Sequence, residues 1–356
     1  MENILVLGCG LVGRAIVSDL SKRHSVIVVD LDPDALNEFK ENKRVQTVWG
    51  DFTLQSVLNS VMRNDIRLAV CAVPGSIGFK TLKRLIELKI DVVDISFSSE
   101  DTLSLNDLAI KNKVTAVVDM GVAPGLDNLI LGHHDASMEI ESFECLVGGL
   151  PKEKYTYKAP FSPADVIQEY IRPARMFENG KVVTKRALSD PQHVVMKDTV
   201  LQAFNTDGLR SLLTTMKHIP NMREKTLRYP GHREQMILLR DFGFFKDENL
   251  KFTSKVLFDS WKSTPEDEEF TFMRVIIKGE GDRHVWELYD QTDLTTKTSS
   301  MARTTGYTCC AVVEAILSDE KFESGIFPGE LIGGNDRIFT HVISFLKDRG
   351  VELKKC

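Results

Sequence analysis

Residues 3–30 constrain this chain more tightly than any other stretch. A short apolar run, residues 4–7, delivers Gly8, Gly10 and Gly13 in the spacing GxGxxG, and the amphipathic stretch 11–20 reads as the helix that follows. In such a strand, turn and helix the first glycine permits a sharp bend, the second lets backbone approach a pyrophosphate, and the third lets helix pack closely on strand. The first helical N–H groups, around Leu11, Val12 and Gly13, then offer partial positive charge to phosphates. Three glycines alone also occur in ordinary tight turns. Here the flanking strand, the helix and a second strand ending in Asp30 are all in place, so a dinucleotide is the expected ligand.

Asp30 bears on which dinucleotide. A carboxylate about 20 residues past the glycines accepts both hydrogen bonds from an adenosine ribose, whereas a 2′-phosphate there meets like-charge repulsion. Asp32 follows, and no arginine stands beside it until Arg44. NAD is therefore expected rather than NADP, unless Asp30 merely starts the next loop.

At 356 residues the chain is long enough for two domains. A net charge of −6 with no basic block points away from nucleic acid and anionic membrane surfaces. The N-terminus runs straight into the first strand, and no apolar run approaches the roughly 18 residues of a spanning helix, so a cytoplasmic protein is expected. The six cysteines show no CxxC spacing and sit mostly in apolar runs, which reads as buried thiols in a reducing compartment. No metal-ligand spacing is found. His133 and His134 are adjacent and would point different ways on a helix, so no metal is expected.

Up to about residue 119, β-branched runs (26–29, 45–48, 68–73, 92–95, 114–118) alternate with helical stretches (33–40, 54–62, 79–88, 103–112). That alternation predicts an α/β fold, a Rossmann-type doubly wound parallel sheet, with ligands at the carboxyl ends of its strands. Those ends therefore matter most. Asp51 and Phe52 either line an adenine pocket or cap a helix. Ala72, Val73 and Pro74 lie where a dinucleotide's middle would run, or form a plain turn. Asp94-Ile95-Ser96 and Asp119-Met120-Gly121 end the next two strands.

After residue 120 the alternation stops. Residues 119–128 read as a turn-rich bridge between domains, the first covering 1–125. Beyond it, Phe143, Cys145 and Val147 alternate as a half-buried strand before Gly148-Gly149-Leu150-Pro151. A helix over 163–175 is expected with Ser162 as N-cap, and another over 207–217 capped by Thr206. Residues 270–278 and 284–289 look like a hairpin turning through 279–282, with an exposed edge that invites pairing. Residues 299–317 read as a long helix and 337–347 as an amphipathic closing one. The region 126–298 is thus expected to be a mixed α+β substrate and dimerisation domain.

Several stretches together carry a resemblance: Val122-Ala-Pro-Gly-Leu-Asp-Asn128, Gly148-Gly-Leu-Pro151, Ser162-Pro163 with Tyr170-Ile-Arg-Pro-Ala-Arg175, Thr206-Asp-Gly-Leu-Arg210, Thr226-Leu-Arg-Tyr-Pro-Gly-His232 and Met301-Ala-Arg-Thr-Thr-Gly306. In these the chain resembles the saccharopine dehydrogenase (reductase-type) family, and within it is most similar to lysine 6-dehydrogenases. The resemblance implies NAD-dependent oxidation of the ε-amine of L-lysine to allysine with release of ammonia. It also implies a homodimer, and helices from about residue 299 that return to the first domain and make it discontinuous (1–125 plus about 299–356). One departure is Lys158-Ala-Pro-Phe161, where relatives often carry an aromatic or polar residue beside the serine.

Taking hydride from an amine carbon requires a neutral amine, whose pKa in lysine is near 10.4, so a base must accept a proton or the site must depress that value. Asp94 and Asp119 are candidate bases or amine docks, with Asp127 behind them; each could instead serve a cap or turn. His232 either relays protons near neutral pH or starts a helix. Arg172, Arg175 and Arg303 are candidate carboxylate clamps or structural ion-pair partners, and Ser96 and Gly149 complete the substrate candidates. Two other readings remain. One, from the same family, is reductive condensation of an amino acid or polyamine with a carbonyl, as in saccharopine or carboxynorspermidine dehydrogenases, usually NADPH-linked, which Asp30 disfavours. The other is a non-catalytic NAD sensor, because residues 3–62 also resemble the nucleotide-sensing domains that gate potassium channels.

Overall fold

Strands buried on both faces must be apolar along their buried length, and among the first six strands each has a buried apolar run except the edge strand 45–49, Val-Gln-Thr-Val-Trp, which is only partly buried. They are β1 (Asn3–Leu7), β2 (Ser25–Asp30), β3 (Val45–Trp49), β4 (Leu68–Cys71), β5 (Asp91–Asp94) and β6 (Thr115–Val118). In the computed structural model, which describes residues 1–62, 65–264, 266–318 and 322–356, the chain divides into two units. One is Met1–His133 with Ala302–Gly350; the other is His134–Met301 with Val351–Cys356.

The first unit is a seven-stranded parallel sheet in the order β15-β6-β5-β4-β1-β2-β3, with β15 (Gly325–Pro328) arriving from the far end of the chain. The helices between its strands are α1 (Leu11–Leu20), α2 (Pro33–Asn37), α3 (Gln55–Val61), α4 (Gly75–Glu87) and α5 (Asn106–Asn112). Leu5, Leu7, Val29, Cys71, Val92 and Val118 pack one face against Leu58, Leu82, Ile86 and Ala109 of the helices. Ile4, Val6, Val28 and Val70, pointing the other way, are equally buried. This is the doubly wound α/β arrangement that the alternating runs predict. Helix α6 (Leu126–Asp135) leaves the unit, and α11 (Ser300–Leu317), α12 (Gly329–Gly333) and α13 (Asp336–Lys347) complete it. The strand order reverses direction at β1, between β2 and β4, and the ligand crevice of such a sheet opens at that point.

The second unit is a nine-stranded sheet centred on β7 (Ser142–Pro151). Its path is β10 (Gln192–Met196), β11 (Thr199–Asn205), β12 (Asn221–Arg228), β7, β13 (Glu269–Gly279), β14 (Asp282–Gln291) and β16 (Leu353–Lys355). β8 (Ala174–Glu178) pairs with β12 and with β9 (Lys181–Lys185). Helices α7 (Pro163–Ile171), α8 (Leu212–Thr215), α9 (His232–Asp241) and α10 (Asp247–Trp261) cover it. Leu146, Leu201, Leu227 and Phe272 form one apolar cluster, and Ile167, Tyr170, Phe204 and Trp261 another.

Five expectations are corrected. Helix α4 begins at Gly75 instead of Phe79, so Pro74 is its N-cap and the Ala72 to Pro74 turn runs directly into it. Helix α7 stops at Ile171, because Pro173 disfavours helical geometry in the residue before it, and the chain then extends into β8. Only Leu212–Thr215 of the predicted 207–217 helix is helical; the Thr206 hydroxyl bonds that of Thr226 and Asp207 is held by Arg175, so neither caps. β7 does not end before Gly148 but runs through to Pro151, and a Cβ on Gly148 would lie 2.5 Å from the Leu227 carbonyl oxygen. The 270–278 strand has no free edge, since β13 pairs with β7 on one side and β14 on the other. Among the described residues no helix is long and apolar enough to cross a membrane.

Candidate functional site

The three glycines of the turn differ in the room that each leaves around its backbone. Gly8 has φ +98, and a Cβ there would lie 2.2 Å from the Ala72 carbonyl oxygen; a Cβ on Gly13 would lie 2.2 Å from that of Gly8. Gly10 differs, because nothing lies within 4 Å of where its Cβ would be. Two glycines are thus required by the protein's own packing, and the third leaves open space over the N-terminus of α1. That helix carries no acidic residue in its first turn and no side-chain cap, so its first N–H groups, around Leu11 and Val12, keep their attraction for an anion.

Asp30 ends β2 beside this turn. Its Oδ2 accepts the Cys9 N–H and its Oδ1 accepts the Asp32 N–H at 2.8 Å. A carboxylate offers about four lone-pair sites, so it retains capacity for ribose hydroxyls. Asp32, Asp34 and Glu38 add negative charge, against which Arg14 stands 3.7 Å from Glu38 and donates to the Cys9 carbonyl. The Cys9 thiol is buried and, with Asp30 adding to the effect, its pKa is pushed up to about 12, which keeps it inert.

Trp49 escaped the sequence reading. It lies in register with Asp30, is 72% exposed, and donates its indole N–H to the Leu31 carbonyl at 3.0 Å. With exposed Leu31, Leu54 and Leu11 it gives the β1 to β3 side of the switch point an apolar surface suited to a flat base. An aromatic at a strand's carboxyl end, one residue before Gly50-Asp51, was the available signal. Asp51 itself accepts the N–H and hydroxyl of Thr53, bonds that lower its pKa and shape the turn into α3, while the Phe52 ring is in the apolar core. Val73 is also a core residue.

At the other side of the switch point stand the strand-end carboxylates. Asp119, 3% exposed, follows β6 with φ 56, a left-handed conformation that Asp adopts more readily than most residues and that recurs at functional sites. Asp94 is fully buried and bonds Ser96. Burial raises its pKa to about 6 against the bonds from Ser96. Ser96 is also buried and donates its hydroxyl to Asp94. Asp127 turns inward as well: its Oδ1 accepts the Gly125 N–H at 2.9 Å, in a loop where a Cβ on Gly125 would lie 2.2 Å from the Gly121 carbonyl oxygen. Arg303, 7% exposed, donates to the Arg349 carbonyl at 3.0 Å and lies 5.7 Å from the Tyr307 ring centre.

In the second unit the candidates fall into two groups. Arg175 grips Asp207 with Nε–Oδ1 at 2.9 Å and Nη2–Oδ2 at 2.8 Å, while its own backbone N–H donates to the same carboxylate. Arg172 stands near the same Asp207, together with Arg210; burial pulls its pKa down and Asp207 opposes that. The second group is buried under α7. Arg228 Nε donates to the Tyr170 hydroxyl at 3.1 Å and Nη2 to Glu169 at 2.8 Å, and the Tyr170 hydroxyl lies 2.9 Å from His232 Nε2. The tyrosine oxygen thus links the Arg228 guanidinium to the His232 ring. Burial, then the Arg228 charge, lower its pKa to about 3, so His232 is neutral near pH 7; it also opens α9, the helix-start role its turn had left open. Gly149 lies mid-strand in β7, where a Cβ would come 2.7 Å from the Met301 methyl and 3.0 Å from Pro160.

Glu269 is a buried carboxyl that the sequence did not single out. Its Oε1 accepts the Met301 N–H at 2.8 Å at the start of α11, and burial, with Asp290 adding, raises its pKa to about 7. A folded-state value above the unfolded one of 4.5 contributes stability that is complete below pH 4.5 and lost as pH rises through about 7. Glu269→Gln removes that loss. Chemical denaturation at pH 5 and pH 8 is expected to show the variant gaining on the wild type by up to about 3 kcal/mol between the two; an unchanged difference would mean that Glu269 titrates normally.

Residues 121–351 match the saccharopine dehydrogenase C-terminal domain and residues 4–81 the TrkA-N domain. The NADP+, L-glutamate-forming saccharopine dehydrogenase of Saccharomyces cerevisiae is 26% identical over 278 residues, 71% of this chain and 61% of that protein. The mitochondrial alpha-aminoadipic semialdehyde synthase of Rattus norvegicus is 26% identical over 196 residues, 51% of this chain and 21% of that protein. The aligned part therefore spans about three-fifths of the first relative and a fifth of the second. The apo structure of the L-Glu-forming saccharopine dehydrogenase from Saccharomyces cerevisiae superposes with a TM-score of 0.78 at 19% identity, covering 100% of this chain and 99% of that one.

Proposed function

The chain belongs to the saccharopine dehydrogenase family, and from that premise we propose that it is an NAD-linked amino-acid dehydrogenase that oxidises the ε-amine of L-lysine to allysine, which cyclises, with release of ammonia. The observation that carries this reading is the glycine turn, with open space over Gly10 and the Asp30 carboxylate beside it. Gly10 and the first N–H groups of α1 would hold the pyrophosphate, Asp30 the adenosine ribose, and Trp49 the base. The nicotinamide ring, when bound, accepts the hydride.

The chain's own part is orientation and proton transfer. Asp119 stands at the carboxyl end of β6, on the nicotinamide side of the switch point, and its carboxylate would accept the proton that the substrate ammonium must lose. Reductive condensation of the saccharopine type is the second reading, favoured by relatives whose names specify saccharopine and NADP+.

The test is absorbance at 340 nm with NAD or NADP and a panel of L-lysine, L-ornithine, saccharopine and diamines at alkaline pH, with ammonia assayed in parallel. Reduced cofactor with stoichiometric ammonia from lysine supports deamination. Turnover of saccharopine without ammonia moves the protein to the condensing reading. Asp30→Ser is expected to raise the KM for NAD roughly 10- to 100-fold, the size of one or two lost bonds to a charged acceptor, and to narrow the preference over NADP. An NADP-preferring wild type would overturn the assignment of Asp30.

A further inference from the structure

Asp94 departs furthest from the role its sequence context suggests. It closes β5 on the nicotinamide side of the switch point, yet it has no exposed surface. Its Oδ1 accepts both the Ser96 N–H at 3.0 Å and the Ser96 hydroxyl at 2.7 Å, while Oδ2 is buried without a hydrogen-bond partner. A base must come within about 2.6–3.2 Å of the proton it removes, directly or through one water. A carboxyl sealed off and turned back on its own loop does not meet that condition.

The surrounding contacts describe a strap. The Asp94 carbonyl accepts the Met120 N–H at 3.0 Å, beside Asp119, and the Ile95 N–H donates to the Cys71 carbonyl at 3.0 Å. Ser96 and Ser98 face inward against α4, where a Cβ on Gly78 would come 2.0 Å from Ser96 Oγ and 2.6 Å from Ser98 Oγ. Ile95 and Phe97, alternating with them, are partly exposed. The segment thus has an anchored side and an apolar outer side.

We propose that Asp94 is a positioning residue: by holding both donors of Ser96 on one oxygen it fixes residues 95–98 so that Ile95 and Phe97 form a rigid apolar wall of the crevice, against which the substrate's hydrocarbon chain packs. This rests on the dehydrogenase reading. The groups facing the carboxyl are Ser96 on its own loop, Cys71 from β4, Asp119 after β6 and Cys309 from α11, and none of them is basic. A carboxamide keeps an acceptor oxygen in the place of Oδ1, where both Ser96 donors meet it.

The full-length enzyme decides the matter through Asp94→Asn and Asp94→Ala. Asp94→Asn keeps an acceptor for both Ser96 donors, so kcat/KM is expected to change little. Asp94→Ala frees the strap and is expected to raise the KM for the amine roughly 10- to 100-fold, with kcat affected less. Asp94→Asn falling as low as Asp94→Ala in kcat, with thermal stability intact, would make Asp94 a base and overturn the proposal. Amide hydrogen exchange over residues 95–98, read by mass spectrometry, provides a test independent of turnover. It should be slow in wild type and Asp94→Asn and fast in Asp94→Ala; equal protection in all three would sink the proposal. Absence of amine turnover by the wild type would sink the dehydrogenase reading, and the crevice wall with it, leaving exchange to judge the anchor alone.

Discussion

Arg228→Ala is expected to lower stability by about 3–5 kcal/mol, the cost of removing one partner of a buried ion pair. Arg228 is 2% exposed, and its guanidinium serves Glu169, the Tyr170 hydroxyl and the Leu227 carbonyl at once. Without it, Glu169 loses its hydrogen-bonded counter-charge, and the Tyr170 oxygen loses a donor. At roughly 2–4 °C per kcal/mol for a domain of this size, the melting temperature should fall by about 10 °C. Because the damage comes from the charge left behind, Arg228→Met combined with Glu169→Leu should recover much of the loss. A double variant no more stable than Arg228→Ala would show that the guanidinium's packing, over the Tyr157 ring at 5.1 Å, matters more than its charge.

Gly8→Ala and Gly10→Ala should separate packing from binding within one motif. At Gly8 the new methyl meets a backbone oxygen at 2.2 Å in a left-handed residue, so neither neighbour nor rotamer relieves it. A destabilisation of about 2–4 kcal/mol follows from the conformation and the overpacking together. At Gly10 the same methyl enters open space, so melting of the free protein should not change, while affinity for NADH falls by about tenfold or more, at 1.4 kcal/mol per decade. Quenching of Trp49 fluorescence is a convenient readout, since its indole is exposed beside Asp30 whereas Trp261 is buried and Trp286 half-buried. A Gly10→Ala variant that binds NADH normally would remove the pyrophosphate from this turn.

What could be read from the sequence followed from how local each determinant is. The turn at Gly8 to Gly13 and the apolar strands around it depend on neighbours a few residues away, and they appear in the structure where their pattern put them. The end of α7 was placed too late, at Arg175, although Pro173 carries the stop signal. β12 was not read as a strand, because Asn-Met-Arg-Glu-Lys-Thr-Leu-Arg looks like solvated surface. Lys225 and Arg228 are buried there only because Asp190 and Glu169, 35 and 59 residues away, meet them. Asp207 was read as helix for the same reason, its partner Arg175 lying 32 residues off. Asp94 is the subtler case. Its place at a strand end was legible, but the direction of its oxygens depends on how tightly Gly78 lets α4 approach.

The seventh strand of the first sheet also sets a timetable. β15 pairs with β6, and Thr115 bonds the Glu323 carbonyl 208 residues further along. At about 5–20 residues per second, a ribosome needs roughly 10–40 s to deliver that partner. Throughout that interval the β6 backbone, carrying Asp119 at its end, has an unpaired edge in a chain whose glycine turn is already made. Until β15 arrives, that edge offers its free N–H and C=O groups to any extended chain nearby.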